Sequence, residues 1–137
     1  MFVLDTDTLT HLLMGHKRVT EKRARATEEV TLAIITRIEM LQGRFASILK
    51  AEDAGKLLLA QQRLVETEKD LRKFIILGID GAVGTEFDQL RQNRKLKIRR
   101  GDLLIAAIAL ANRATLVTRN EKDFHKVPGL RIENWAD

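Results

Sequence analysis

Carboxylate or amide side chains stand beside nearly every apolar segment of this chain that has the composition of a β-strand. They are Asp5 after residues 2–4, Glu39 after 32–35, Asp80 after 74–77, Asn120 and Asp123 after 116–117, and Asp102 just before the apolar segment 103–111. If the strands are parallel, their carboxyl ends open onto one crevice, and these side chains converge there. Crowded carboxylates need a compensating cation, and oxygen ligands favour Mg²⁺ or Mn²⁺.

The three best metal-ligand candidates each have a structural alternative. Asp5 ends an apolar strand where nothing local requires a charge; its alternative is helix capping, although residues 6–8 already supply capping groups. Glu39 stands three residues after Thr36, which is also the spacing of a capping box. Asp102 is predicted to be the N-cap or a first-turn residue of a buried helix, and the positive end of that helix suits a metal-binding carboxylate.

The remaining polar candidates are weaker. Asn120 and Asp123 follow a strand, so they are either turn formers or outer contacts of a metal ion or its water. Asp80 is more typical of a helix cap than of a ligand. The three histidines have no metal-ligand spacing and are expected at the surface or at the edge of the core; they are His11, His16 and His125.

Composition excludes several other kinds of chemistry. The 137 residues suit one domain, 1–137, and the chain has no cysteine, which excludes disulfides and thiolate sites and favours a reducing cytosol. The only serine, Ser47, lies in a segment predicted to be a buried helix, which argues against a serine nucleophile. The longest apolar segment, 103–111, is too short to span a bilayer, and no basic leader precedes the first strand, so a soluble cytoplasmic protein is expected.

Strand-like and helical patterns alternate along the chain, which is typical of an α/β domain with a mainly parallel sheet. Strands are predicted at about 2–5, 31–35, 74–78, 115–118 and 130–133. Helices are predicted at 8–14, 17–29, 36–50, 52–72, 81–95 and 103–111. The last of these is apolar nearly all round and is expected to be the central buried helix.

Positive charge is concentrated beside Asp102. The formal net charge is +5, and residues 91–100 contain six basic residues and no acid. We name five of them the basic collar: Arg94, Lys95, Lys97, Arg99 and Arg100. A basic surface next to an acidic metal site suits a polyanion that is held while one phosphate is attacked, and this favours RNA binding by the collar. The alternative is an ordinary solvated helix end and loop.

Five segments, in order, carry a family resemblance. They are FVLDTDTLTHLL (2–13), ITRIE (35–39), GDLLIAAIALA (101–111), LVTRNEKDF (116–124) and VPGLRIENW (127–135). Together they resemble PIN-domain ribonucleases, specifically the VapC-type toxins of bacterial toxin–antitoxin pairs. Each motif alone is weak, but the five span nearly the whole chain.

The resemblance implies a three-layer α/β/α domain with about five mainly parallel strands and a Mg²⁺- or Mn²⁺-dependent endoribonuclease activity. It implies that Asp5, Glu39 and Asp102 bind the metal together with Asn120, and that Asp123 completes the catalytic set. Many PIN domains have an aspartate at the position of Asn120, which puts a tightly held second metal in question. Products with 5′-phosphate and 3′-hydroxyl ends, a homodimer and a VapB-like antitoxin are further implications.

Two other functions compete with the nuclease. Leu4-Asp5-Thr6-Asp7 is similar to the strand-end motif of haloacid-dehalogenase-type phosphatases, in which Asp5 would be the nucleophile, but the glycine–threonine pair and the late aspartate pair of that family are missing. A non-catalytic basic nucleic-acid-binding domain would gain nothing from acids directed at a phosphate.

Surplus apolar residues in the helical segments 17–29 and 36–72 predict a groove for the antitoxin. The residues that stand out are Leu57, Leu58, Leu59 and Leu64. The alternative is that these leucines pack within the monomer or at a homodimer contact.

Overall fold

The computed structural model describes residues 1–137 and contains five strands and seven helices in an alternating order. The strands are β1 (Phe2–Leu4), β2 (Val30–Ala33), β3 (Ile75–Leu77), β4 (Thr115–Val117) and β5 (Arg131–Glu133). The helices are α1 (Thr6–Leu13), α2 (Lys17–Arg25), α3 (Ile34–Lys50), α4 (Ala54–Leu71), α5 (Gly81–Gln92), α6 (Arg100–Ala111) and α7 (Glu121–Phe124).

The five strands form one fully parallel sheet with the order β3-β2-β1-β4-β5. The central strand β1 pairs with β2 and β4, and its last residue, Leu4, is in register with Leu32 and Val117. Asp5 and Thr118, which come directly after β1 and β4, therefore lie at the same edge of the sheet. The prediction of a parallel α/β sheet with converging carboxyl ends is confirmed.

Apolar side chains cover both faces of the sheet, as the alternation of side chains along a strand requires. Val3 and Leu116 point to one face and pack against α5 and α6. Residues 105–109 of α6 are almost fully buried there. Leu4 and Val117 point to the other face, where they join side chains of α1, α2 and the end of α4. The result is a three-layer α/β/α arrangement in which α6 is the buried helix, as predicted.

Several helix boundaries differ from the prediction. Helix α2 ends at Arg25 rather than at residue 29, and α5 ends at Gln92 rather than at residue 95. Helix α6 begins at Arg100 rather than at residue 103. Asp102 lies in its first turn, which is one of the two predicted positions, and Arg99 is the N-cap without a side-chain hydrogen bond. The short helix α7 was not predicted, because four residues are too few to show helical periodicity.

The prediction of a buried segment around Ser47 is wrong. Ser47 is exposed, and its hydroxyl donates to the carbonyl oxygen of Gly43 one turn earlier. Phe45 and Leu49 are 57% and 70% exposed on the second half of α3, a helix that packs mainly against α4. No helix combines the length and the apolar character that a transmembrane span requires.

Candidate active site

Asp5 lies in the buried turn between β1 and α1. Its backbone N–H donates to the carbonyl oxygen of Val117, which extends the pairing of β1 with β4 by one bond. One carboxylate oxygen accepts a 2.8 Å hydrogen bond from the backbone N–H of Thr8, so Asp5 is the N-cap of α1. The expectation that residues 6–8 would supply this cap is wrong. A cap of this kind uses one carboxylate oxygen, so it is compatible with a further ligand role.

Burial raises the pKa of the Asp5 carboxyl above its ordinary value, because a desolvated carboxylate loses its hydration. Hydrogen bonding from Thr118 and Thr8 lowers the pKa and opposes this effect, while the nearby charge of Asp7 raises it further. Asp5 is only 9% exposed. A carboxylate that is costly to ionise in the folded chain is one that a bound cation would stabilise.

Glu39 lies in the second turn of α3 and does not cap that helix. The helix begins at Ile34, and its N-cap, Ala33, has no side-chain hydrogen bond, so the capping-box interpretation of Thr36 and Glu39 is wrong. The Glu39 carboxylate instead accepts a 2.7 Å hydrogen bond from the hydroxyl of Thr6 at the start of α1. This contact brings Glu39 next to the residue that follows Asp5.

Asp102 lies in the first turn of α6, close to Glu39 of α3. A Cβ atom added to Gly101 would lie 3.9 Å from Oε2 of Glu39, which places that carboxylate against the first turn of α6. The side chain of Arg99 contacts both acids: its Nη2 lies 3.3 Å from Oδ1 of Asp102 and 3.6 Å from Oε2 of Glu39. One guanidinium group therefore bridges two of the predicted metal ligands.

Asn120 and Asp123 lie beyond β4, at the start of α7. The Asn120 side-chain amide donates a 3.0 Å hydrogen bond to Asp123, and the backbone N–H of Asn120 donates to the hydroxyl of Thr118. Lys126 lies 4.0 Å from the Asp123 carboxylate. These contacts form the turn that was one of the two predicted roles, while the metal-contacting role stays a prediction.

At one edge of the sheet a series of contacts joins Asp102 and Glu39 to the residue that follows Asp5. It runs from Asp102 through Arg99 to Glu39 and from Glu39 to Thr6, while Asn120 separately contacts Asp123 and Thr118. Asp80 is outside it: Asp80 is exposed and caps α5 by accepting from the backbone N–H of Val83. Of the acids considered from the sequence, Glu39 and Asp102 therefore share one guanidinium, and Asp5 is linked to Glu39 through its chain neighbour Thr6.

The donor set suits a hard divalent cation. Carboxylate and amide oxygens are the ligands of Mg²⁺ and Mn²⁺, and a guanidinium cation already bridges Glu39 and Asp102. In the present side-chain arrangement no three histidine, aspartate or glutamate residues are grouped as metal ligands. The residues fit a metal ion by the chemistry of their oxygen donors. Two of them, Glu39 and Asp102, form ion pairs with Arg99 in this structure.

The basic collar is a surface loop between α5 and α6 with its charges in solvent. All five collar residues are exposed, whereas Leu96 and Ile98 between them pack against the core and hold the loop in place. Arg94, Lys95 and Lys97 form no ion pair with an acid. Arg99 differs because it binds the acids, and the guanidinium of Arg100 lies over the ring of Phe87 at 5.4 Å.

Three residues of the site were missed as functional residues by sequence reasoning. Thr6 was considered only as a capping residue, Thr118 was treated as part of a strand end, and Arg99 was assigned to RNA. A signal existed for the two threonines, since Thr118 directly follows β4 and Thr6 is the second residue after β1, at the edge where the acids were predicted to meet. The pairing of Arg99 could have been anticipated from its position three residues before Asp102, where helical side chains are neighbours.

The sequence matches the family model of the PIN domain over residues 2–130. The chain belongs to the PIN-domain family. A curated relative, ribonuclease VapC2 of Rickettsia felis, is 47% identical over 55 residues, which are 40% of this chain and 38% of that protein. The tRNA(fMet)-specific endonuclease VapC of Salmonella typhimurium is 25% identical over 98% of both chains.

A solved structure extends the similarity of this PIN domain to three dimensions. The crystal structure of VapBC2 from Rickettsia felis, bound to a DNA fragment from the promoter, superposes on this chain with a TM-score of 0.79. The sequence identity is 26%, and the alignment covers 98% of both chains. The resemblance inferred from the five motifs is confirmed.

The phosphatase alternative is not supported by the geometry. Its second aspartate would be Asp7, which would have to share the site with Asp5. Asp7 lies within α1 and is exposed, whereas Asp5 is buried. The two acids therefore differ in exposure, and the PIN match covers both residues.

Proposed function

We propose that this chain is a Mg²⁺- or Mn²⁺-dependent endoribonuclease and the toxin of a toxin–antitoxin pair, with the whole site carried by one domain, 1–137. The observation that carries the proposal is the series of contacts that links Asp102 to Glu39 through Arg99, and Glu39 to Thr6, the residue directly after Asp5 at the carboxyl end of β1. The nuclease names of the two VapC relatives support the same activity.

Asp5, Glu39, Asp102 and Asn120 would hold the metal, which when bound supplies a Lewis acid for the attacking water and the phosphate. Thr6 orients the Glu39 carboxylate through its 2.7 Å hydrogen bond. Thr118 and Thr8 favour the ionised form of Asp5 against the cost of its burial. Asp123 fixes the side-chain amide of Asn120, which leaves the amide oxygen available as a ligand.

The basic collar would hold the RNA on either side of the cleaved phosphate. Arg94, Lys95 and Lys97 are exposed and unpaired with acids, so their charges are available for phosphates. By the family resemblance, in-line attack by water would displace the 3′-oxygen, which leaves a 5′-phosphate and a 3′-hydroxyl. The Salmonella relative is named as specific for tRNA(fMet). For this chain, transfer RNA, ribosomal RNA and messenger RNA are all candidates, and an RNA substrate places its action in the cytoplasm.

A VapB-like antitoxin would bind the apolar surface of α3 and α4. Leu57, Leu58 and Leu59 are 46%, 69% and 45% exposed, and Phe45 and Leu49 on α3 are also exposed. Helix α2 shows no exposed large apolar residue, so the groove is assigned to α3 and α4 alone rather than also to residues 17–29. A second copy of the chain, forming the homodimer that the resemblance implies, is the competing occupant.

The test is cleavage of purified transfer, ribosomal and messenger RNA in the presence of Mg²⁺ or Mn²⁺, with sequencing of the ends produced. Asp5→Asn and Asp102→Asn should each reduce cleavage by at least a hundredfold, because each removes one negative charge at nearly constant shape. A chelator should have the same effect on the wild type. The ends should carry 5′-phosphate and 3′-hydroxyl groups.

The matched control is Asp80→Asn. Asp80 also follows a strand and caps a helix, but it lies outside the series of contacts, so this variant should keep wild-type activity. Wild-type cleavage by Asp102→Asn would overturn the mechanism. Release of inorganic phosphate from a small phosphoester, with an aspartyl-phosphate on Asp5, would identify a phosphatase instead.

A further inference from the structure

Arg99 has an unusual position for a residue of a basic surface loop. Its Nη2 lies 3.3 Å from Oδ1 of Asp102 and 3.6 Å from Oε2 of Glu39, and its Nε lies 3.5 Å from Oδ2 of Asp102. The guanidinium therefore contacts both oxygens of Asp102 and reaches Glu39 at the same time. This planar cation with several fixed donors matches a pair of carboxylates better than a single-point charge would.

Local structure explains why Arg99 faces the acids. Ile98 packs against the core, which fixes the loop just before Arg99. Arg99 then has an extended backbone, with φ −58° and ψ 150°, and is the N-cap of α6. Asp102 lies three residues further, one helical turn away, so the two side chains are neighbours on the same face.

The ion pairs, and not burial, hold Arg99 in place. Its side chain is 70% exposed, while those of Asp102 and Glu39 are 15% and 27% exposed. The hydrogen-bonded Asp102 carboxylate raises the pKa of Arg99, which is always charged in any case. Exposed ion pairs of this kind are weak, so the guanidinium can leave the acids at small cost.

We propose that Arg99 is a built-in competitor of the divalent cation: its guanidinium occupies the space between Glu39 and Asp102 and must release them before both can bind a metal ion. This inference rests on the proposed function, because it takes the acids to be metal ligands. It accounts for the contact of one guanidinium with both acids, which leaves neither carboxylate free of a cation in the structure. In the metal-free chain Arg99 is then paired with the acids and is not available to hold RNA.

The test is Mn²⁺ binding to the full chain without RNA, measured from the free Mn²⁺ signal in electron paramagnetic resonance and by calorimetry. Arg99→Gln should tighten Mn²⁺ binding by about threefold to tenfold, the scale expected when two exposed ion pairs no longer compete. Arg100→Gln is the matched control. It removes the same charge one residue away, but Arg100 lies over Phe87 and does not contact the acids, so its effect should stay below about twofold.

Two results would overturn the inference. Unchanged or weaker Mn²⁺ binding by Arg99→Gln would show that Arg99 does not compete, and equal gains in Arg99→Gln and Arg100→Gln would show only a general charge effect. Asp102→Asn should weaken Mn²⁺ binding in either background. If Asp102→Asn changes nothing, the metal site of the proposed function fails as well, and this result is distinguishable from a failure that concerns Arg99 alone.

Discussion

The hydroxyl of Thr6 donates a 2.7 Å hydrogen bond to Oε1 of Glu39 and thereby joins the start of α1 to the second turn of α3. The same hydroxyl lies 3.3 Å from that of Thr36, which is fully buried. Because Thr6 directly follows Asp5, this bond sets the position of one predicted ligand relative to another. The accepting carboxylate is charged, and such bonds are stronger than those between neutral groups.

The first prediction is that Thr6→Val lowers kcat/KM for RNA cleavage by about tenfold to a hundredfold, because a charge-assisted hydrogen bond contributes roughly 1.5–3 kcal/mol. Thr6→Ser should restore most of the activity, since it keeps the hydroxyl. Thr85→Val is the control, because the Thr85 hydroxyl donates only to Gly81 within α5. Equal activity of Thr6→Val and wild type would show that Glu39 needs no orientation by Thr6.

Much of this arrangement could be predicted from the sequence, and the reason is the parallel sheet. Each predicted strand lies within about two residues of the observed one, because apolar runs in a buried parallel sheet are easily recognised. Parallel strands place Asp5 and the start of α3 at the same edge of the sheet. The convergence of their chain segments could therefore be predicted, whereas the strand order and the position of Glu39 within α3 could not.

The contacts of the site could not be predicted in the same way, because they depend on how helices pack. The bond from Thr6 to Glu39 requires α1 and α3 to be neighbours, which no local pattern encodes. The start of α6 was misplaced because Gly101 has a low helix propensity and basic side chains are unfavourable at the positive end of a helix. Asp5 was treated as either a cap or a ligand, yet a carboxylate has two oxygens, so its observed capping does not exclude the second role.

The second prediction concerns Asp5 and pH. Burial raises the pKa of this carboxyl in the folded chain, so the folded state binds the proton more tightly than the unfolded state does. Protonation of Asp5 therefore stabilises the folded state. This contribution is fully present below the pKa of Asp5 in the unfolded chain, near 3.8, and is lost as pH rises through its higher pKa in the folded chain. At neutral pH the ionised Asp5 therefore lowers the stability of the metal-free protein.

Asp5→Asn should accordingly raise Tm at pH 7 by about 2–4 °C in a chelating buffer, and asparagine keeps the cap of α1. The difference in Tm between the variant and wild type should shrink as pH falls towards 4. Thermal unfolding followed by circular dichroism over this range measures both effects. A variant less stable than wild type at pH 7 would contradict the assigned cost of burying the charge.

The third prediction separates the basic collar from ordinary surface charge. Replacing Arg94, Lys95 and Lys97 by glutamine should weaken RNA binding and reduce the slope of log affinity against log salt by about 2, because each phosphate contact on a single strand contributes about 0.7 to that slope. Binding is measured in a chelator, which prevents cleavage. Arg99 is left unchanged because it contacts the acids.

The control for the collar removes an equal charge from α2. Lys17, Lys22 and Arg25 are exposed and form no ion pair, and Lys22 and Arg25 lie beside Phe2 at the opposite end of β1 from Asp5. Their replacement by glutamine should leave the slope nearly unchanged. Equal losses in the two triple variants would show that net charge, and not the collar, governs RNA binding.

The last prediction concerns the antitoxin groove. Leu58 is 69% exposed on α4, so Leu58→Asp should change the folding stability by no more than about 0.5 kcal/mol and leave RNA cleavage intact. A buried aspartate in an apolar interface is costly, so the same variant should lose antitoxin binding by at least a hundredfold. Cells that express this variant together with the antitoxin should then stop growing, whereas the antitoxin should neutralise the wild-type protein.

Ile79→Asp is the control, because Ile79 is 56% exposed but lies in the loop after β3, outside α3 and α4. If Leu58→Asp is neutralised as well as wild type but sediments as a monomer where wild type is a dimer, the surface is a contact between two copies of this chain and the antitoxin binds elsewhere.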